Sequence, residues 1–124
     1  MGKNKIFIGV LASFWLASAV VLAGCHKSEF KQLKEEGMNA ATPEEQIECF
    51  TKALNIWTDA DGVQEKSKVY TKRGNAYSQK GHYDIAIGDY NRAIDLDPNN
   101  SEAVNGRANA TAANDRANDI RAQQ

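Results

Sequence analysis

Apolar residues recur along this chain in two different patterns. Near the amino terminus an uncharged run of 19 residues extends from Ile6 to Gly24, directly after the basic residues Lys3 and Lys5. Further along, apolar residues recur every three or four positions, which is the spacing of one face of an α-helix. The chain therefore divides into an amino-terminal segment that contains the uncharged run and an all-helical domain, which we place at residues 30–122.

The uncharged run has the features of a secretory signal peptide, namely a basic head, an apolar stretch and small residues at its end. An uncleaved membrane anchor is the alternative, because 19 apolar residues can also span a bilayer. The last residues of the run resemble the lipobox of bacterial lipoproteins: Leu22, Ala23, Gly24 and Cys25. The resemblance implies that residues 1–24 are a lipoprotein signal peptide and that Cys25 carries acyl chains such as palmitate. Residues 25–29 would then be a lipid-anchored linker.

The lipobox also indicates where the protein resides. In lipoproteins of bacteria with two membranes, an aspartate after the cysteine marks retention in the inner membrane, and that position is His26 here. We therefore expect attachment to the outer membrane, facing the periplasm, with acyl chains that together give a stable anchor. Because lipidation uses Cys25, Cys49 is left as a single thiol. We interpret it as a small packing residue, with a reactive thiol as the alternative.

An internal repeat organises the rest of the chain. The sequence that starts at Arg73 (Arg-Gly-Asn-Ala) recurs 34 residues later at Arg107 (Arg-Ala-Asn-Ala), and Phe50-x-x-Ala53 recurs 40 residues later as Tyr90-x-x-Ala93. A 34-residue unit with a six-residue insertion, which we place within residues 57–65, explains both spacings. Such periods are typical of stacked helical repeats.

Residues 67–100 resemble a tetratricopeptide repeat (TPR). The positions of the repeat pattern are occupied by Tyr70, Gly74, Tyr77, Ala86, Tyr90, Ala93 and Pro98. Arg73 departs from the pattern, which usually has leucine there. The helical spacing of the matching residues predicts two antiparallel helices that approach each other closely at Gly74 and Ala86.

The preceding unit matches less well. It keeps the apolar positions Phe30, Leu33, Phe50 and Ala53. However, Lys34 and Gln46 occupy the two close-contact positions and Gly37 replaces a tyrosine, which predicts looser packing. Its second helix has a strong start, because Thr42, Pro43 and Glu45 form a capping-box sequence. Trp57 has two interpretations, a lid over the junction between units or an exposed anchor for a partner.

After Ser101 a single helix follows, which we expect to cap the stack and to fray from about Asp115. Its predicted apolar face is thin: Ala103, Val104, Ala108 and Ala112. The predicted fold is therefore all-α, with antiparallel helix pairs stacked as a short TPR-like solenoid of about two and a half repeats and five helices.

Composition argues against several functions. The 15 lysines and arginines are balanced by 16 acidic residues, for a net charge of -1, so nucleic acid is not an expected partner. Two histidines and two cysteines lack the spacing of a metal site. No paired nucleophile and base and no phosphate-binding loop is recognisable, so we expect neither an enzyme nor a cofactor.

The TPR resemblance implies a concave face that binds a peptide or protein through the first helix of each pair. The candidate binding residues are Lys31, Glu35, Lys68, Thr71, Lys72, Asn75, Asn105 and Asn109. The alternative for these residues is a solvated polar face. We predict a membrane-anchored adaptor or assembly factor whose partner is an envelope protein or peptide. The second hypothesis is a structural accessory subunit of an envelope complex, or a homo-oligomer, without a peptide groove.

Overall fold

The computed structural model describes residues 29–124. The predicted signal peptide, the lipobox-like residues and the expected acylation site Cys25 lie outside the described residues. The first helix, α1, covers residues 29–39. It is followed by four more helices: α2 (Pro43–Ile56), α3 (Val63–Gln79), α4 (Tyr83–Leu96) and α5 (Ser101–Ala122), with a 3-10 turn at Asp59–Asp61. Residues 29–124 contain no β-strand, which confirms the all-helical prediction.

The helices are stacked in chain order. α3 packs against both α2 and α4, and α4 packs against α5. One buried cluster joins the first unit to α3: Phe30, Phe50, Ala53 and Val69. A second joins α4 to α5: Ala86, Tyr90, Ala93, Ala103 and Ala110. The arrangement is the short solenoid of helix pairs that the repeat spacing predicts.

Local sequence sets the helix boundaries. The capping box at α2 is confirmed, because the Glu45 amide donates to the Thr42 hydroxyl while the Thr42 amide donates to the Glu45 carboxylate, both at 3.3 Å. Gly62 precedes α3 with a φ of 88°, and Gly81 joins α3 to α4 with a φ of 76°. Other residues rarely adopt these values, so both turns depend on glycine.

Aromatic rings pack directly on helix backbones at three glycines. A Cβ atom on Gly74 would lie 3.0 Å from Tyr90 Cε1, and one on Gly106 would lie 2.6 Å from the same atom. The prediction of a close approach at Gly74 is therefore confirmed. In the first unit, a Cβ atom on Gly37 would lie 2.6 Å from Phe50 Cε1. The expectation of loose packing in that unit is wrong at this point, because the missing side chain lets Phe50 fill the space.

The loop that carries the insertion ends before the predicted residue 65. Residues 63–65 belong to the first turn of α3, so the connection spans residues 57–62. Trp57 is partly buried against the first cluster, and its Nε1 donates to the Gly62 carbonyl at 3.2 Å. The Lys66 ammonium lies 3.8 Å from the centre of its indole ring. These contacts support the lid interpretation of Trp57.

Of the predicted apolar face of α5, only Ala103 is buried. Ala103 and Ala110 are buried, whereas Val104 is 38% exposed and Ala108 and Ala112 are exposed. Gly106 lies on the buried side, where its lack of a side chain makes room for Tyr90. The helix also continues past Asp115 to Ala122.

Candidate partner-binding groove

A groove of about 520 Å³ opens between α1, α3 and the segment that leads into α5. Its apolar lining consists of the exposed Met38 and of Phe50 and Val69, which are almost fully buried beneath it, and its rim carries three lysines and four carboxylates. The charged residues are Lys34, Glu35, Glu65, Lys68, Lys72, Asp97 and Glu102. Since α1, α3 and α5 are the first helices of successive units, this groove lies on the face that the sequence predicts for binding.

The lysines of the rim pair with carboxylates of the same chain. Lys34 and Lys68 both donate to Glu65, each at 2.7 Å, and these two hydrogen bonds lower the pKa of the Glu65 carboxyl. Lys72 donates to Glu102 at 2.8 Å, which links α3 to α5. Lys72, a predicted binding residue, therefore does not present an unpaired charge to a partner.

Asn75 is also engaged within the chain. Its Nδ2 donates to Glu102 at 2.9 Å, and its Oδ1 accepts from the Tyr90 hydroxyl at 2.7 Å. Burial and the nearby charge of Glu102 raise the pKa of Tyr90, so the phenol keeps the proton that it donates. Burial disfavours the charged form of Glu102, but the hydrogen bonds from Lys72 and Asn75 outweigh it and lower its pKa. The result is an ordered bridge across the concave face.

The remaining predicted residues have different positions. Glu35 and Lys68 line the groove, while Lys31 is exposed outside it. Asn109 borders a second depression of about 470 Å³ between α3, α4 and α5, where Asn75, Gln79, Tyr83 and Tyr90 also lie. Asn105 is exposed on α5 and lines neither space.

Thr71 is a packing residue, because it is only 1% exposed and cannot reach a ligand. Its hydroxyl donates to the Ser67 carbonyl and accepts from Asn100 Nδ2, both at 2.9 Å. Ser67 is buried beside it and donates to the Ala93 carbonyl at 2.8 Å. The four-residue spacing of Ser67 and Thr71 places both on one helix face, and that is the signal by which the buried pair could have been found.

Sequence reasoning did not assign several groove residues, among them Lys34, Met38, Glu65, Asp97 and Glu102. Lys34 occupies a close-contact position of the repeat pattern, and Glu65 lies at the end of the predicted inserted loop. Their role depends on partners up to 31 residues away in the chain. Spacing within one helix does not reveal such partners.

Residues 67–100 match the family model described as tetratricopeptide repeat. The matched unit covers most of α3 and all of α4, the pair that forms the middle of the stack. An all-helical fold of this kind is typically a non-catalytic scaffold for protein–protein interaction. Within residues 29–124, no group of three histidine, cysteine or acidic residues is placed to hold a metal ion. None of the described helices is long and apolar enough to cross a membrane.

Proposed function

We propose that this protein is a lipid-anchored interaction module of the bacterial cell envelope that binds a segment of a partner protein in the groove. The observation that carries the proposal is the groove itself, which is built from the first helices of three successive units and leaves Met38 54% exposed at its surface. An accessible apolar residue surrounded by a polar rim is the usual anatomy of a protein-binding site.

The anchor is proposed from the lipobox resemblance at Leu22–Cys25. Acyl chains on Cys25 would hold the domain at the outer membrane, on the periplasmic side. Because α1 begins at residue 29, the linker is reduced to residues 25–28, which would span at most about 14 Å when fully extended. The groove would therefore operate close to the membrane surface, and its partner would be another envelope protein.

A second function is favoured by one observation. Lys72, Asn75 and Glu102 satisfy one another within the chain, so these groups do not require a ligand. An accessory subunit that uses another surface, in a complex or a homo-oligomer, would have the same internal bridge.

Site-specific photo-crosslinking in the cells that make the protein separates the two functions. The photoreactive amino acid p-benzoylphenylalanine replaces Met38 in one variant and Ile85 in a second. Ile85 is a suitable control because it is 43% exposed on α4 and does not line the groove. We expect a discrete adduct with an envelope protein from position 38 and little from position 85. Adducts from position 85 alone would refute the groove and support the accessory subunit.

A further inference from the structure

We propose that the groove selects a partner segment in which lysine or arginine stands beside an aliphatic residue, and that it rejects acidic segments. This inference rests on the proposed function and specifies the chemistry of its partner.

The first step is that each lysine of the rim already has a carboxylate partner in the chain. Glu65 accepts from both Lys34 and Lys68, and Glu102 accepts from Lys72. Glu102 also accepts from Asn75, so it is held by two donors. A carboxylate from a partner would have to displace one of these acids or bind beside it, where like charges repel.

The second step is that two carboxylates of the rim remain open to a cation. Glu35 is about half exposed, and its one ion pair among residues 29–124, with Lys34, is long at 4.0 Å, whereas Lys34 lies 2.7 Å from Glu65. Asp97 has no lysine or arginine of residues 29–124 within 4 Å, and its hydrogen bond is with the backbone amide of Asn99 at 3.1 Å. With four acids and three lysines, the rim as a whole is negative.

The third step concerns the apolar surface between these groups. Met38 is exposed next to Phe50 and Val69, both of which are buried. A methionine side chain adapts its shape to different aliphatic groups. Lysine and arginine carry aliphatic stems that can lie on such a surface while their charged ends reach a carboxylate. The groove therefore matches a segment that is both basic and aliphatic.

A selection experiment tests this without knowledge of the natural partner. A random 12-residue peptide library displayed on phage is selected on the full-length chain in detergent. Enriched peptides are then synthesised and titrated while the methyl resonances of Met38, Val69 and Ile85 are followed by NMR. We expect peptides enriched in lysine or arginine with leucine, isoleucine or valine. They should shift the resonances of Met38 and Val69 but not that of Ile85.

The possible failures are distinguishable. Peptides that perturb Met38 and Val69 but are acidic, or carry no charge bias, would overturn this inference and leave the proposed function standing. If no enriched peptide perturbs Met38 or Val69, both the inference and the groove function are overturned.

A charge-matched pair of variants gives the decisive comparison. Glu35→Gln with Asp97→Asn removes the two open carboxylates, and the asparagine can still accept from the Asn99 amide. Asp115→Asn with Asp119→Asn removes the same charge from exposed positions on α5. The affinity for a basic peptide is measured at about 20 mM salt, where screening is weak. We expect the double variant at Glu35 and Asp97 to lower this affinity at least fivefold, and the double variant at Asp115 and Asp119 to change it less than twofold. Equal effects of the two pairs would contradict the assignment.

Discussion

Both carboxylate oxygens of Asp89 accept from the guanidinium of Arg73, with Arg73 Nε at 2.7 Å from Oδ2 and Nη2 at 2.8 Å from Oδ1. Asp89 has no exposed surface, and Arg92 adds a further contact at 3.1 Å. Arg73 also donates to the Thr51 hydroxyl at 3.1 Å. The residue that departs from the TPR pattern thus connects α3 to both α2 and α4.

This pair predicts a strong coupling between Arg73 and Asp89. Arg73→Leu restores the residue that the pattern usually has, but it leaves the Asp89 carboxylate buried with only Arg92. We expect Arg73→Leu or Asp89→Leu to lower the free energy of unfolding by about 3 kcal/mol, and the double variant to cost less than either. Urea denaturation of the four proteins measures this. Additive losses would show that the pair is not coupled.

Gly74 and Gly88 predict opposite outcomes for added side chains. A side chain on Gly74 meets Tyr90 and the Ala86 carbonyl, whereas nothing lies within 4 Å of a Cβ atom on Gly88. We expect Gly74→Leu to destabilise the fold by about 3 kcal/mol through overpacking. Gly88→Ala should stabilise it by up to about 1 kcal/mol through helix propensity. Thermal unfolding checks both, and an unchanged melting temperature for Gly74→Leu would contradict the observed packing.

The two asparagines of the repeated Arg-x-Asn-Ala sequence should differ in their effect on stability. Asn75→Ala removes the acceptor of the nearly buried Tyr90 hydroxyl, which should cost about 1–2 kcal/mol. Asn109 is exposed, so Asn109→Ala should change stability by less than about 0.5 kcal/mol. A Tyr90→Phe background is the control, because it should abolish most of the cost of Asn75→Ala. Equal costs in both backgrounds would exclude the hydrogen bond as the cause.

Removal of residues 115–124 should be nearly neutral for folding. Ala117 is the only residue of this segment that is partly buried, and Ile120 is 62% exposed. We expect the free energy of unfolding to change by less than about 1 kcal/mol. The helicity measured by circular dichroism should fall only by the contribution of the removed residues. A larger loss of helicity would show that the end of α5 supports the core.

Cys25→Ala should abolish lipid attachment, since no other cysteine of the chain follows a lipobox. Membrane fractionation and the mass of the amino-terminal peptide measure this. Cys49→Ala is the matched control and should leave both unchanged. An acylated amino terminus in the Cys25→Ala protein would rule out the proposed anchor.

The repeat pattern predicted the centre of the stack well and its end poorly. Ala86, Tyr90 and Ala93 are buried as expected, because a repeat fixes which face of each helix meets its neighbour. In α5 the apolar residues are almost all alanines, so no face contrasts with the rest of the helix. Val104 is the largest apolar residue in the first turns of α5, and its presence led to a predicted apolar face that is mostly exposed.

The groove shows a different limit of sequence reasoning. The TPR resemblance placed Lys68 and Lys72 on the concave face, but it did not show that they pair with Glu65 and Glu102. Lys72 and Glu102 are 30 residues apart. Their contact depends on how α5 sits against α3, which is a property of the stack and not of either helix. The sign of the charge presented to a partner is therefore visible only in three dimensions.

Asn100 links the start of the last helix to buried groups in the middle helix of the stack. Its Oδ1 caps α5 by accepting from the Ala103 amide at 3.1 Å, while its Nδ2 donates to the hydroxyls of Ser67 and Thr71, each at 2.9 Å. The amide that starts the last helix thus also satisfies buried groups in the middle one. Opening α5 at this end would remove the hydrogen bonds that those buried hydroxyls accept, which couples the start of α5 to α3. Backbone amides of α3 and of the first turns of α5 are accordingly expected to exchange with solvent as one cooperative unit.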